Sequence, residues 1–192
     1  MVVKIGLLGL QGDYAKHSKL LSQLDLQPVL VRYPQQLSDV QGLIIPGGES
    51  TTMTKLIKAT GFRQPLLEFA DEFPILGTCA GLIMMGNQQG DIRVDNLSIL
   101  DVQVERNAYG RQIESFTDNL VVNYGNREEI IPATFIRAPQ ITATGSEVEV
   151  LAQYRHQPVA VRQGRHIGLT FHPELDDVTL FHQMAFCSNK SE

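Results

Sequence analysis

Two patterns of apolar spacing divide the chain. Up to about residue 87, short unbroken apolar runs alternate with stretches in which apolar positions recur every three or four residues. "VVKIGLLGL" (2–10) is continuous and ends in glycine, which predicts a strand buried on both sides, as in a parallel sheet. "PVLVRY" (28–33), "GLIIP" (42–46) and "PILG" (74–77) read the same way. Between them, residues 14–25 carry Leu20, Leu21 and Leu24 at helical spacing, with Asp13 as a candidate N-cap. Residues 50–60 predict a helix capped by Ser50 and ended at Gly61. Helices are also expected over 63–72 and 80–87. Strands alternating with helices predict parallel βαβ units with helices on both faces of the sheet. Ligands in such sheets bind beyond the carboxyl ends of the strands. The loops after Leu10 ("QGD"), Pro46 ("GGES") and Gly77 ("TCAG") are therefore the ones to watch.

Beyond residue 97 the helical spacing gives way to strand after strand. Candidates are 97–107, 119–124, 133–139, 147–154, 158–164 and 165–171, with a tight hairpin around Gly164 and a last helix over 177–187. The whole predicts an α/β fold of three layers: a mostly parallel central sheet, helices on both faces and an antiparallel extension, in a single domain over 1–192.

Composition narrows the setting. The 192 residues carry 16 basic and 21 acidic side chains, a net charge of −5, with no basic block. That argues against nucleic acid or an anionic membrane as partner. No apolar run nears the length of a membrane span, and the apolar start is too short for a secretion signal. Two cysteines, Cys79 and Cys187, make neither a disulfide framework nor a zinc pattern. A reducing cytoplasm is the expected location.

Cys79 is the residue that needs explaining. In "LGTCAGL" (76–82) it stands between Gly77 and Gly81, at the junction of an expected strand and helix. Gly-x-Cys-x-Gly in that context is a nucleophile elbow. The glycines let the backbone double back, and the turn points the sulfur out at a helix N-terminus, where a thiolate is favoured. The N–H of Ala80 would then help hold an oxyanion. A buried structural cysteine is the alternative.

A thiol nucleophile needs a base, and the base an orienting group. Of five histidines, only His172 follows a strand and has an acid beside it, in "TFHPEL" (170–175). Two residues on, Glu174 would point the same way in extended backbone and fix the imidazole tautomer. His17, His156 and His166 are expected at the surface, and His182 in packing. "PGGEST" (46–51) lacks the Gly-Lys-Ser/Thr ending of a phosphate loop, and Glu49 would repel phosphate. Its Gly-Gly pair better suits a second oxyanion donor from Gly48.

"GTCAGL" and "FHPE" together resemble the class I (triad) glutamine amidotransferases, a flavodoxin-like fold class. "GLQGD" (9–13), "PGGESTTM" (46–53), "ERNAYGRQIESF" (105–116) and "FIRAP" (135–139) narrow the resemblance to the glutaminase subunits of pyridoxal 5′-phosphate synthases, the PdxT type, over essentially the whole chain. Tyr109 stands where the family would have Phe, and Asp13 where it would have a small residue. The resemblance implies a Cys79–His172–Glu174 triad that hydrolyses L-glutamine to L-glutamate and ammonia. It also implies an oxyanion site at Gly48 and Ala80, and substrate held by Gly47, Gly48, Glu49, Arg106, Ile136 and Arg137. For Arg106 and Arg137 a plain ion pair with a local acid such as Glu105 is the alternative. The implied partner is a (β/α)8-barrel synthase subunit in a ring of twelve and twelve, which receives the ammonia. No cofactor or metal is expected on this chain. Supply of another synthase, a non-catalytic scaffold and a redox-sensing cysteine are the competing readings.

Overall fold

The computed structural model describes residues 2–87, 93–106 and 115–187. Its main sheet has nine strands in the order β2-β1-β3-β4-β11-β10-β9-β6-β7, where β1 is Lys4–Leu8, β2 Gln27–Val31, β3 Leu43–Ile45, β4 Ile75–Thr78, β6 Phe116–Tyr124, β7 Arg127–Phe135, β9 Glu149–Tyr154, β10 Gln157–Gln163 and β11 His166–Leu169. The first five in that order pair in parallel, and from β11 outward every pairing is antiparallel. The parallel core and the antiparallel extension expected from the spacing are both present. A separate two-stranded ribbon joins β5 (Val102–Glu105) to β8 (Gln140–Thr144).

Strand alternation splits the apolar side chains into two cores, one per face. Leu43, Ile45 and Ile75 join one core with residues of α2 (Ser50–Ala59), α3 (Arg63–Glu72) and α4 (Ala80–Met85). Ile5, Leu7, Ile44 and Leu76 join the other, with Leu21 of α1 (Tyr14–Gln23) and Leu180 and Phe181 of α5 (Leu180–Phe186). Helices therefore cover both faces. Among the described residues no helix is long and apolar enough to cross a membrane.

Three expectations need correction. The cap of α2 is Glu49, not Ser50: its carboxylate accepts from the Thr51 and Thr52 N–H groups at 3.0 and 2.7 Å. Residues 97–101 are not a strand. The N–H groups of Leu97, Ile99 and Leu100 donate instead to the Met84 and Met85 carbonyls, satisfying the end of α4. The polar β8 ("QITAT") was not expected, and β7 begins earlier, at the charged "REEII", and ends earlier than the strand expected over 133–139; neither stretch carries enough apolar alternation to announce itself. Residue 107 and most of "ERNAYGRQIESF", with Tyr109, lie outside the described residues.

Candidate active site

Cys79 sits between β4 and α4 with φ 50° and ψ −105°. This is the left-handed half of backbone space, costly for any residue with a Cβ. The surroundings hold it there. A Cβ on Gly81 would overlap the Ile45 carbonyl oxygen, and one on Gly77 would come within 2.8 Å of the Gly81 backbone. The elbow thus closes only because both positions lack side chains. The Cys79 N–H donates to the Leu169 carbonyl at 2.8 Å, and the Cys79 carbonyl accepts from Ile83 at 3.2 Å. Ala80 opens α4, so its N–H has no intrahelical acceptor. Cys79 as a whole is 8 % exposed.

His172 reaches the sulfur from a different direction, at the end of the segment that follows β11. Its backbone N–H donates to the Thr134 carbonyl on β7 at 2.9 Å. A 3-10 turn over Pro173–Leu175 then folds Glu174 back. So the acid is brought to the imidazole by a turn, not by extended backbone, and His172 Nδ1 lies 2.7 Å from Glu174 Oε1. The turn is tied down by Asp176, whose carboxylate accepts from the Thr134 N–H and hydroxyl, each at 2.8 Å. Sequence reading missed Asp176, and its one outward sign was an acid two residues past "HPE".

Burial alone would pull the His172 imidazole down. Its hydrogen-bonding contact with Cys79 and its bond to the Glu174 carboxylate outweigh burial and hold it up, at about 10. Glu174 is also buried, which would raise its carboxyl; the hydrogen bond from His172, backed by the imidazoles around it, reverses that and keeps it low. The pair is an ionic one, shielded from water: the Glu174 side chain is 2 % exposed and that of His172 13 %.

The remaining expected residues line the same cavity, of about 500 Å³. Gly47, Gly48, Glu49, Arg106, Ile136 and Arg137 all border it together with Cys79, His172 and Glu174. Ala80 is not among the lining residues, and only its backbone position beside the sulfur fits the expected role. Gly47 has no room for a side chain, since a Cβ there would stand 2.5 Å from His172 Cε1 and 3.5 Å from Cys79 Cβ. Arg106 pairs with Glu49 across 3.3 Å. Glu49 is held down to about 2, chiefly by hydrogen bonds from the Thr51 and Thr52 hydroxyls. The Ile136 carbonyl stands 3.9 Å from Cys79 Sγ, and Arg137 follows with φ 42° and an exposed side chain. Gln11 ties two of the loops together, its Nε2 donating to the Glu49 carbonyl at 2.7 Å.

The histidine assignments fare unevenly. His156 is exposed as expected. His166 is half-buried, its Nδ1 accepting from the Ile75 N–H at 3.2 Å, and burial drives it down to about 4. His182 is buried. His17 is the clear correction: it is fully buried, directly behind Glu174. The sign was present in the sequence, for His17 continues the Leu20–Leu21–Leu24 stripe one turn back. Among the described residues no group of three or more His, Cys, Asp or Glu is arranged to hold a metal ion.

A doubly wound sheet with this cysteine elbow facing a histidine–carboxylate pair is the layout of the glutamine amidotransferase class. A crystal structure described as a glutamine amidotransferase superposes with a TM-score of 0.86 at 38 % identity, covering 93 % of this chain and 95 % of that one. A Thermotoga maritima structure described as PurLQS shares the fold at a TM-score of 0.76, with 16 % identity over 99 % of this chain and 100 % of that one. More narrowly, the chain belongs to the SNO glutamine amidotransferase family, which it matches over residues 7–189. Its relatives include a Thermosipho africanus protein named pyridoxal 5′-phosphate synthase subunit PdxT, 42 % identical over 182 residues, 94 % of this chain and 96 % of the relative. A protein of the same name from Anoxybacillus flavithermus is 45 % identical over 177 residues, 92 % and 91 % of the two chains.

Proposed function

We infer that this chain is the glutaminase subunit of a pyridoxal 5′-phosphate synthase: it hydrolyses L-glutamine to L-glutamate and ammonia and supplies the ammonia to a (β/α)8-barrel synthase subunit. The observation that carries the reading is the convergence of Cys79 with the 2.7 Å His172–Glu174 pair in one cavity. Relatives above 40 % identity over nearly their full length, named as subunits of that synthase, support the choice of partner.

In this reading the Cys79 sulfur attacks the side-chain amide carbon of glutamine, its proton having passed to His172. The carbonyl oxygen becomes an oxyanion, received by the N–H groups of Gly48 and Ala80. The C–N bond breaks as His172 returns the proton to the leaving nitrogen, which departs as ammonia. Water, deprotonated by His172, then attacks the γ-glutamyl thioester; the C–S bond breaks and glutamate leaves. Glu174 keeps the imidazole aimed throughout. The 47–49 loop, Arg106 and the Ile136–Arg137 segment hold the amino-acid end of the substrate, with a guanidinium suited to its carboxylate.

The ammonia passes to the barrel subunit without release into water, in a ring of twelve copies of each. Docking on the Gln11 loop and the start of α2 would be felt at the oxyanion site, because Gln11 is bonded to the carbonyl of Glu49. The test is glutamate release from L-glutamine by this chain alone and with the barrel subunit added. A large rise on mixing, absent in Cys79→Ala, supports the reading. No release in either case moves a non-catalytic docking role to the front.

A further inference from the structure

Behind Glu174 lies a pair of imidazoles that the proposed reaction does not use. His17 on α1 and His182 on α5 are both fully buried. His17 Nδ1 lies 2.9 Å from His182 Nε2, with the rings tilted at 42°. The other nitrogen of His17, Nε2, lies 3.5 Å from Glu174 Oε2 and 3.5 Å from the Thr78 hydroxyl, next to the elbow. Among the described residues, Glu174 Oε2 and His182 Nδ1 have no hydrogen-bond partner.

The protons can be placed from these contacts. Burial disfavours the cation at both rings and lowers both pKa values, in His17 against the pull of the Glu174 charge. Each ring is therefore neutral and carries one N–H. If His17 held its proton on Nδ1, its bare Nε2 could accept from the Thr78 hydroxyl at 3.5 Å but would face the Glu174 carboxylate at the same distance, lone pair against lone pair. His182 would then have to carry its own proton on Nδ1, buried with no acceptor. The opposite arrangement avoids both faults. His182 donates from Nε2 to His17 Nδ1, and His17 presents its Nε2–H to Glu174 Oε2. Only a bare lone pair on His182 Nδ1 stays unpaired, and buried acceptors are left unpaired more readily than buried donors.

We propose that His17 is a positioning residue for Glu174: its Nε2–H holds the carboxylate oxygen that His172 leaves free, and His182 fixes the tautomer that makes this donor available. A carboxylate held through one oxygen is free to swing, and one gripped at both is not. Hydrogen bonds of this kind are often long before substrate binds and tighten in the complex, as the 3.5 Å separation requires here. The kinetic consequence rests on the glutaminase reading; the geometry does not.

Two measurements on the full chain test this. In the first, ¹⁵N-histidine-labelled protein at neutral pH gives the tautomers from long-range ¹H–¹⁵N correlations. His17 and His182 are both expected as neutral Nε2–H forms. A His17 that is cationic, or protonated at Nδ1, overturns the proposal. In the second, glutamate release with the barrel subunit present compares His17→Leu with His17→Gln, whose amide N–H can stand near the Nε2 position. Leu is expected to lower kcat by roughly 10–100-fold with KM little changed, the usual loss when an orienting partner is removed, and Gln to recover most of it. Equal losses in the two variants, or a loss confined to KM, make His17 a packing residue and sink the idea. If the wild type releases no glutamate the glutaminase reading fails, and the tautomers alone decide the His17 assignment. They also decide it if His17→Leu does not fold.

Discussion

The two arms of the site are built by different means. The cysteine arm, β4 to α4, is made by the backbone: a left-handed Cys79 and two glycines packed so closely that a methyl group fits at neither. The histidine arm is made by side chains. His172 and Glu174 sit on a short turn, held by Asp176 to Thr134 and backed by His17. The parallel half of the sheet supplies the first arm. The antiparallel extension anchors the second, since Thr134 belongs to β7. A backbone-built feature is rigid and local in sequence. A feature built from side chains depends on groups far apart in the chain, and its parts are separately removable.

That contrast is open to breaking. Gly81→Ala strikes the backbone arm and carries the largest effect: glutamate release is expected to vanish, and stability to fall by about 1–3 kcal/mol, the range for overpacking a filled site. Thermal denaturation together with the glutaminase assay reads both. Glu174→Gln strikes the side-chain arm. It leaves the shape intact but removes the charge that fixes the His172 tautomer, so kcat falls by roughly 10³–10⁴-fold with little change in fold. Asp176→Ala removes the anchor behind that turn. About tenfold in kcat is expected, with about 1–3 kcal/mol of stability lost with the charge-assisted bonds to Thr134. Similar losses of glutaminase activity in Gly81→Ala and Asp176→Ala would erase the distinction between the arms.

The smallest effect is a pH dependence of stability that centres on the histidine arm, with Cys79 as well as Glu174 holding the His172 imidazole up. His172 is held above its ordinary value of 6.5, so its contribution is full below that pH and fades as the pH rises through about 10. Glu174 is held below its ordinary 4.5, so its contribution is present above that pH and is lost as the pH falls through the lowered value. Both are in place between about 4.5 and 6.5. The destabilisation in Glu174→Gln, from denaturant midpoints across pH, is expected to be greatest in that window and to shrink toward pH 10. A flat difference would show that the pair is not ionic.

The same contrast explains what could be read in advance. Gly77, Cys79 and Gly81 lie within five residues, and a turn that excludes side chains writes glycine into the sequence at fixed spacing. The elbow and the Gly47–Gly48 loop were legible for that reason, and the parallel strands because burial on both faces makes each a continuous apolar run. His172 and Glu174 were legible because one turn holds both. The helical stripe carried a sign of the burial of His17 but none of its role, because its partners Glu174 and His182 lie far along the chain. The cap on α2 was misread by one residue because Ser50 is the preferred N-cap type and Glu is not, and only the fold shows whose oxygen meets the Thr51 and Thr52 N–H groups.

The central claim, that both arms serve one thiol, is tested most directly by acid-quenching the chain during turnover of L-glutamine with the barrel subunit present and reading the peptide masses. The account predicts a γ-glutamyl thioester on the peptide carrying Cys79, and no glutamate from Cys79→Ala. Steady glutamate release that survives in Cys79→Ala, with the Cys79 peptide unmodified in the wild type, would contradict it.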